Sequence, residues 1–168
     1  MSGIMSPPII KQPQPPLIIY IDGMPLYMHT HIERVMDVWS NGNCEYHVVS
    51  GLLDKGEENH TLVRQTLISE LTVHSELYTR LYVTTEKFNK VHHALSPSVT
   101  VCAPVDKWMG FPEMDHLIAS AYESVCIDLT RYGFSETFFL YRLPRLKIHS
   151  AASRVLGTLD HTILFRFI

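Results

Sequence analysis

The 168-residue chain has an apolar fraction of 46% and a charged fraction of 18%, which are typical of a folded domain and exclude a disordered protein. A net charge of −3 at pH 7, with acidic and basic residues interspersed, provides no basic face for nucleic acid. The three cysteines lie far apart without a Cys-x-x-Cys pair, so we expect reduced thiols in the cytoplasm or nucleus rather than a disulfide framework.

The first 16 residues are rich in proline, with five prolines between Pro7 and Pro16. Proline removes backbone donors and favours extended conformations, so residues 1–16 are predicted to form a flexible leader before a domain at 17–168. The leader does not have the pattern of a secretory signal, and the sequence has no apolar run of about 20 residues. We therefore expect an intracellular protein without a membrane partner. Residues 17–21 predict a short strand or an extended anchoring segment.

Helical periodicity dominates the chain from residue 28 to residue 122. The first helix is predicted at 28–39, capped by Thr30, with four apolar residues at helical spacing. After an Asn-Gly-Asn turn, a buried helix is predicted from Cys44 to a stop near Gly56. Further helices are predicted at 60–82, at 85–95 and at 110–122, the last with Pro112 near its start. Trp108 is interpreted as a core anchor before this last helix.

The last third of the chain changes character. Short aromatic or β-branched runs at 124–129, 136–142 and 161–168 are bounded by turn residues and predict strands. Helices followed by strands predict an α+β domain, in which a small β-sheet is packed with helices.

Cys44 stands where a chain can present a nucleophile, directly after the Asn41-Gly42-Asn43 turn and at the start of a buried helix. The N–H groups and dipole of a helix N-terminus favour a thiolate. The same N–H groups can bind the oxyanion formed when a thiolate attacks a carbonyl. Free cysteine is also among the most buried residue types, so an inert core residue remains the alternative for Cys44.

The run Asn41 to His47, NGNCEYH, resembles the Asp-Gly-Asn-Cys signature of the OTU (ovarian tumour) family of cysteine proteases. The wider run is similar to OTU-like domains of plant proteins associated with transposable elements. Their pattern of Pro, His, Ile, Val, Asp and Val before the signature is kept at positions 25, 29, 32, 35, 37 and 38. The similarity covers about residues 17–142, with a weaker match over 155–168.

The resemblance implies an OTU-like cysteine protease fold and hydrolysis of ubiquitin isopeptide bonds, without a cofactor. Cys44 matches the nucleophile of the family. Its general base is a histidine near the C-terminus that opens a strand, which makes His161 the candidate. Asn41 replaces the motif aspartate, and the backbone of Gly42 and Asn43 belongs to the implied oxyanion site. Ubiquitin or a ubiquitinated protein is the implied partner, whereas the oligomeric state is left open.

Three residues depart from the family pattern beside the nucleophile. Asn41 lacks the charge of the aspartate, Glu45 disfavours an adjacent thiolate, and His47 stands in place of arginine. A catalytically inactive OTU-fold pseudoenzyme that binds ubiquitin or another protein is therefore the alternative function. The ten histidines do not suggest a metal site, because the pairs at 29/31 and 92/93 cannot share a helix face.

Overall fold

The computed structural model describes residues 26–30, 32–38, 41–97, 102–110, 113–129, 135–138, 141, 155–159 and 163–167. The predicted leader at 1–16, the segment at 17–21 and the candidate base His161 lie outside the described residues. Within these ranges, every helix is too short or too polar to span a lipid bilayer.

The described strands form one five-stranded mixed sheet in the order β1-β5-β4-β2-β3. β2 and β4 run parallel, and every other neighbouring pair is antiparallel. The strands are β1 (Ile32–Asp37), β2 (Val125–Leu129), β3 (Ser135–Phe138), β4 (Val155–Leu159) and β5 (Ile163–Phe167). Residues from both ends of the described chain therefore pair directly, and Asp37 opposes Ile163.

The helices lie mostly between the first two strands in sequence. They are α1 (Leu26–His29), α2 (Cys44–Leu52), α3 (His60–Val73), α4 (Ser75–Tyr82), α5 (Thr85–Leu95) and α6 (Asp115–Ala121). Short 3-10 turns occupy Glu57–Asn59 and Val105–Lys107. The predicted α+β class is confirmed, with helices packed on a small sheet.

The helix α2 lies at the centre of the molecule and is buried from Glu45 through Leu52. It packs against α3 on one side and against β4 and β5 on another. Its core neighbours on α3 are Val63, Leu67 and Leu71, each fully buried. Because α2 is enclosed in this way, the turn before it is held from both the helical layer and the sheet.

One predicted helix is wrong, since Ile32–Asp37 forms the strand β1 and Thr30 follows the end of α1 instead of capping a helix. Apolar residues three and four apart fit a helix, yet Ile and Val are β-branched and pair well across strands. Pairing with β5 supplies the ladder that decides between these two conformations.

The predicted helix at 60–82 is interrupted. His74, with φ of −111° and ψ of 32°, separates α3 from α4. The break brings Tyr78 and Tyr82 of α4 into the core, where Tyr78 is fully buried and its hydroxyl donates to Glu70 at 3.1 Å. Tertiary packing therefore overrides a continuous helical pattern at this point.

Candidate active site

The turn before α2 is built by its own polar groups. The Asn41 carbonyl accepts a hydrogen bond from the Ala103 amide at 2.9 Å, which ties the turn to the loop before the second 3-10 turn. The Asn41 Oδ1 accepts from the Asn43 amide at 3.0 Å. Asn41 thus supplies a local hydrogen-bond acceptor to the turn, without the charge that an aspartate would have.

Gly42 is required by this turn for two reasons. Its φ is +75°, in the left-handed region that favours glycine. A Cβ at this position would also overlap the Ala103 carbonyl oxygen and come within 2.7 Å of Trp108 Nε1. The backbone of the turn can therefore approach its neighbours as closely as it does only with glycine here.

Trp108 is not the core anchor that the sequence suggested. Its side chain is 46% exposed, and its Nε1 donates to the Ala103 carbonyl at 3.1 Å. The indole therefore lies against the turn beside Gly42, at the surface of the molecule. Its hydrogen bond is made to the same residue whose amide binds Asn41.

Cys44 is the first residue of α2 and is half-buried. Its Sγ donates to Glu45 Oε2 at 3.2 Å, and the Glu45 side chain is itself buried. Burial, the charge of Glu45 and this hydrogen bond raise the pKa of the Cys44 thiol to about 12. At pH 7 such a pKa leaves on the order of 10⁻⁵ of the thiol ionised. The free protein thus holds its nucleophile candidate as a neutral thiol.

The His47 side chain is buried and contacts the first 3-10 turn and α3. It is 4% exposed, its Nδ1 lies 2.7 Å from the Glu57 carbonyl oxygen, and its ring centroid lies 4.2 Å from that of His60. Burial, and after it the neighbouring His47, lower the pKa of His60. His47 therefore packs in the junction of α2, α3 and the first 3-10 turn.

His161 lies outside the described residues, and the described strand β5 follows it in the sequence. β5 begins at Ile163, pairs with Asp37 at the end of β1 and packs against α2. From Asp37 the chain needs only seven residues to reach Cys44. The start of β5 and the helix of Cys44 thus belong to one packed unit.

Arg64 is a site residue that the sequence reasoning missed. It is 5% exposed and donates to the Asn43 Oδ1 at 2.8 Å, directly beside Cys44. The sequence pattern that could have revealed Arg64 is a basic residue among the apolar residues of α3, between Val63 and Leu67. A charged residue on an apolar stripe requires buried partners.

The other thiols and the paired histidine have separate surroundings. Cys102 is exposed, and Cys126 is buried with its Sγ 3.4 Å from Asp115 Oδ1. His93 forms an exposed pair with Asp106, with Nε2 and Oδ2 2.8 Å apart. Across the described residues, no group of three or more His, Cys, Asp or Glu side chains is arranged to hold a metal ion.

No protein-family model matches this sequence, and no curated protein matches it. Solved structures do resemble it. The viral OTU domain protease from Dera Ghazi Khan virus has a TM-score of 0.53 at 15% identity, over 81% of this chain and 87% of that one. The OTU domain of OTUD1 has a TM-score of 0.55 at 15% identity, over 80% and 84%. The Hazara virus OTU bound to ubiquitin has a TM-score of 0.52 at 18% identity, over 80% and 81%. The chain therefore has an OTU-like fold.

Proposed function

We propose that the protein is an OTU-type cysteine hydrolase that cleaves the isopeptide bond between the C-terminus of ubiquitin and a lysine. The observation that carries this proposal is the position of Cys44, at the start of a buried helix and after a turn that only glycine can form. Solved structures with this fold include viral proteases, and one of them is bound to ubiquitin. These likenesses support the choice of reaction and of partner.

In the proposed reaction, the Cys44 sulfur attacks the isopeptide carbonyl carbon while its proton passes to His161. Backbone N–H groups of the 41–44 turn and the helix N-terminus hold the oxyanion. As the tetrahedral intermediate collapses, the lysine nitrogen leaves with the proton from His161 and a thioester remains on Cys44. Water, deprotonated by His161, then hydrolyses the thioester and restores the thiol.

The oxyanion role is divided unequally among the residues of the turn. The Asn43 amide is engaged with Asn41 Oδ1 in the free protein. It must exchange this hydrogen bond for the oxyanion, or leave the role to the amides of Gly42 and Cys44. Asn41 therefore contributes by fixing the turn, and a contact between Asn41 and His161 is not part of the proposal.

His161 as the general base rests on the strand that follows it. The antiparallel pairing of β5 with β1 places Ile163, which follows His161 by two residues in the sequence, opposite Asp37 at one end of the sheet. The chain continues from that end into the turn that carries Cys44. This topology is what supports a meeting of His161 with Cys44.

A second candidate function, a ubiquitin-binding module without turnover, is favoured by one specific observation. Glu45 accepts a hydrogen bond from the Cys44 thiol, and burial together with Glu45 raises the pKa of the thiol to about 12. In an active enzyme, the pKa of Cys44 must fall when substrate binds, either through the imidazole of His161 or by displacement of the Glu45 carboxylate. In an inactive module the contact would simply persist.

Three finer predictions from the sequence remain proposals. They are the kinship with OTU-like domains of plant transposon-associated proteins, the division into a leader at 1–16 and a domain at 17–168, and an intracellular location. Each concerns the origin and setting of the protein and leaves the reaction unchanged.

A ubiquitin probe with a C-terminal electrophile tests the proposed function. The wild type should form a covalent adduct that Cys44→Ala and His161→Gln lack, while Cys102→Ser labels as the wild type does. Replacing Glu45 by Gln should accelerate the adduct, because the isosteric amide removes the charge that disfavours the thiolate. Intact-mass spectrometry measures all five proteins.

The two candidate functions predict different results. Measurable ubiquitin affinity without an adduct, in both the wild type and Glu45→Gln, would establish the binding module and reject the hydrolase. An adduct that survives Cys44→Ala would reject Cys44 as the nucleophile.

A further inference from the structure

Arg64 joins three separate segments through one buried side chain. Its Nη1 donates to the Ala94 carbonyl at 2.5 Å, and its Nη2 donates to Asn43 Oδ1 at 2.8 Å and to the Lys107 carbonyl at 2.9 Å. The partners are 30, 21 and 43 residues away along the chain. They belong to the last turn of α5, to the turn before α2 and to the second 3-10 turn. The planar guanidinium, whose donors lie on separate nitrogens in a fixed fork, suits three acceptors in this arrangement.

The Arg64 guanidinium also has an aromatic ring against its planar face and an acidic residue nearby. Its central carbon lies 3.7 Å from the centroid of the Tyr46 ring, within cation–π distance. Burial lowers the pKa of Arg64, and the nearby Tyr46 and Glu45 offset only part of this effect. An arginine nevertheless remains a cation at neutral pH, so Glu45 has a buried counter-charge. The position of the fork is thus set by contacts on its edges and on its face.

Asn43 makes the arrangement relevant to chemistry. It occupies the N-cap position of α2, where an asparagine side chain ordinarily accepts from the first-turn amides. Here its side chain makes no capping hydrogen bond to the described helix, and its Oδ1 instead accepts from Arg64. The first-turn N–H groups next to Cys44 are therefore not occupied by this side chain.

We propose that Arg64 is a positioning residue for the reaction at Cys44. It holds the Asn43 side chain off the helix N-terminus and fixes the backbone of the turn, so that the N–H groups beside Cys44 point at the site of the oxyanion. The proposal rests on the proposed hydrolase function and assigns Arg64 no contact with substrate.

A purely structural role for Arg64 is distinguished by the conservative replacement Arg64→Lys. Lysine keeps a positive charge near Glu45 but lacks the fixed planar geometry with which Arg64 serves its three acceptors. Arg80→Lys is the matched control, because Arg80 is exposed on α4. Asn43→Ala provides an independent variant, since it removes only the acceptor on the turn and leaves the other two hydrogen bonds of Arg64.

Amide hydrogen exchange by NMR tests the fixing of the turn without any requirement for catalysis. The amide of residue 43, which donates to Asn41 Oδ1 in the wild type, should exchange at least about tenfold faster in Arg64→Lys and in Asn43→Ala, because the hydrogen bond between Arg64 and Asn43 that fixes the turn is lost. Core amides of α3, and the turn amides of Arg80→Lys, should exchange as in the wild type. If Arg64→Lys does not fold, Asn43→Ala carries the test. Unchanged turn amides in a folded variant overturn the proposal.

Two reactions of Cys44 then separate positioning from simple support of the thiol. Alkylation by iodoacetamide forms no oxyanion, so its rate should stay within about twofold in Arg64→Lys. The kcat for a ubiquitin C-terminal amide should fall by about tenfold or more, with KM little changed, as expected when oxyanion donors are misplaced. An unchanged kcat, or an equal loss of both reactions, overturns the positioning role. If the wild type itself shows no turnover, the hydrolase proposal fails, and the exchange result alone decides whether Arg64 fixes the turn.

Discussion

At the scale of single residues, the candidate site depends on the balance between Cys44 and Glu45. The helix N-terminus favours a thiolate, but burial and the neighbouring carboxylate outweigh it and raise the pKa of Cys44 to about 12. The hydrogen bond that Cys44 Sγ donates to Glu45 is the contact through which the carboxylate favours the protonated thiol. The Cys44 thiol is therefore mostly protonated at neutral pH in the free protein.

This balance predicts the pH dependence of alkylation at Cys44. Only the thiolate reacts, so with a raised pKa the rate should climb about tenfold per pH unit from pH 7 to pH 10 without reaching a plateau. In Glu45→Gln the curve should shift to lower pH, since the charge that opposes ionisation is gone. Iodoacetamide rates on a Cys102→Ser background, read by peptide mass spectrometry, measure both curves. A wild-type plateau below pH 9 would contradict the raised pKa.

Gly42 gives a second prediction at this scale. Gly42→Ala should lower the free energy of unfolding by about 2–3 kcal/mol, because alanine is strained at φ of +75° and its Cβ would overlap the Ala103 carbonyl. Gly110→Ala is the matched control, with no atom within 4 Å of its added Cβ, and should change stability by less than about 0.5 kcal/mol. Urea denaturation measures both; equal effects would refute the close approach at Gly42.

At the scale of elements, the packing of α2 on α3 holds the site. Leu67 is fully buried at this contact, whereas Leu62 on the same helix is 48% exposed. Both lie in the region where the sequence predicted a helix, so they share a local context but differ in burial.

We expect Leu67→Ala to lower the free energy of unfolding by about 2–5 kcal/mol, through lost burial and the cavity that remains. Leu62→Ala should cost less than about 1 kcal/mol, since its side chain is half in solvent. Thermal and urea unfolding followed by circular dichroism compare the two. Similar losses in both variants would mean that α3 does not present Leu67 to α2 as described.

His60, on α3, makes the stability of the protein depend on pH. The pKa of His60 is lowered in the folded protein, so below about pH 6.5 the unfolded chain binds more protons than the folded one. Stability should therefore fall as the pH drops from 7 towards 5. His60→Gln should flatten this fall, and urea unfolding at several pH values measures it. An identical slope in the variant would remove His60 as its cause.

At the scale of the whole molecule, the sequence predicts most elements but not their assembly. The helix after Cys44 and the strands β2, β3 and β5 coincide with predicted runs. β4 was missed because Gly157 weakens its strand pattern, and β1 was taken for a helix because its apolar spacing fits both periods. Pairing of β1 with β5 is a contact between distant residues that no local pattern reports.

The candidate site likewise has parts that the sequence could predict and parts that it could not. Cys44, Gly42 and the effect of Glu45 follow from adjacent residues and could be predicted. The hydrogen-bond partners of Arg64 lie in three segments that only the fold brings together. The sequence therefore could not predict that they converge on Arg64. The place of Trp108 depends on the loop that carries it, and its exposure was for that reason predicted wrongly.

The central claim is that Cys44 and His161 meet at the end of the sheet where β1 and β5 pair. A crystal structure of the protein measures this most directly, as the distance between Cys44 Sγ and the nearer ring nitrogen of His161. We predict a distance within about 4 Å, allowing for a looser geometry without substrate. A His161 ring that faces away from Cys44, with no other imidazole within reach of the sulfur, would contradict the proposed hydrolase and leave the fold alone.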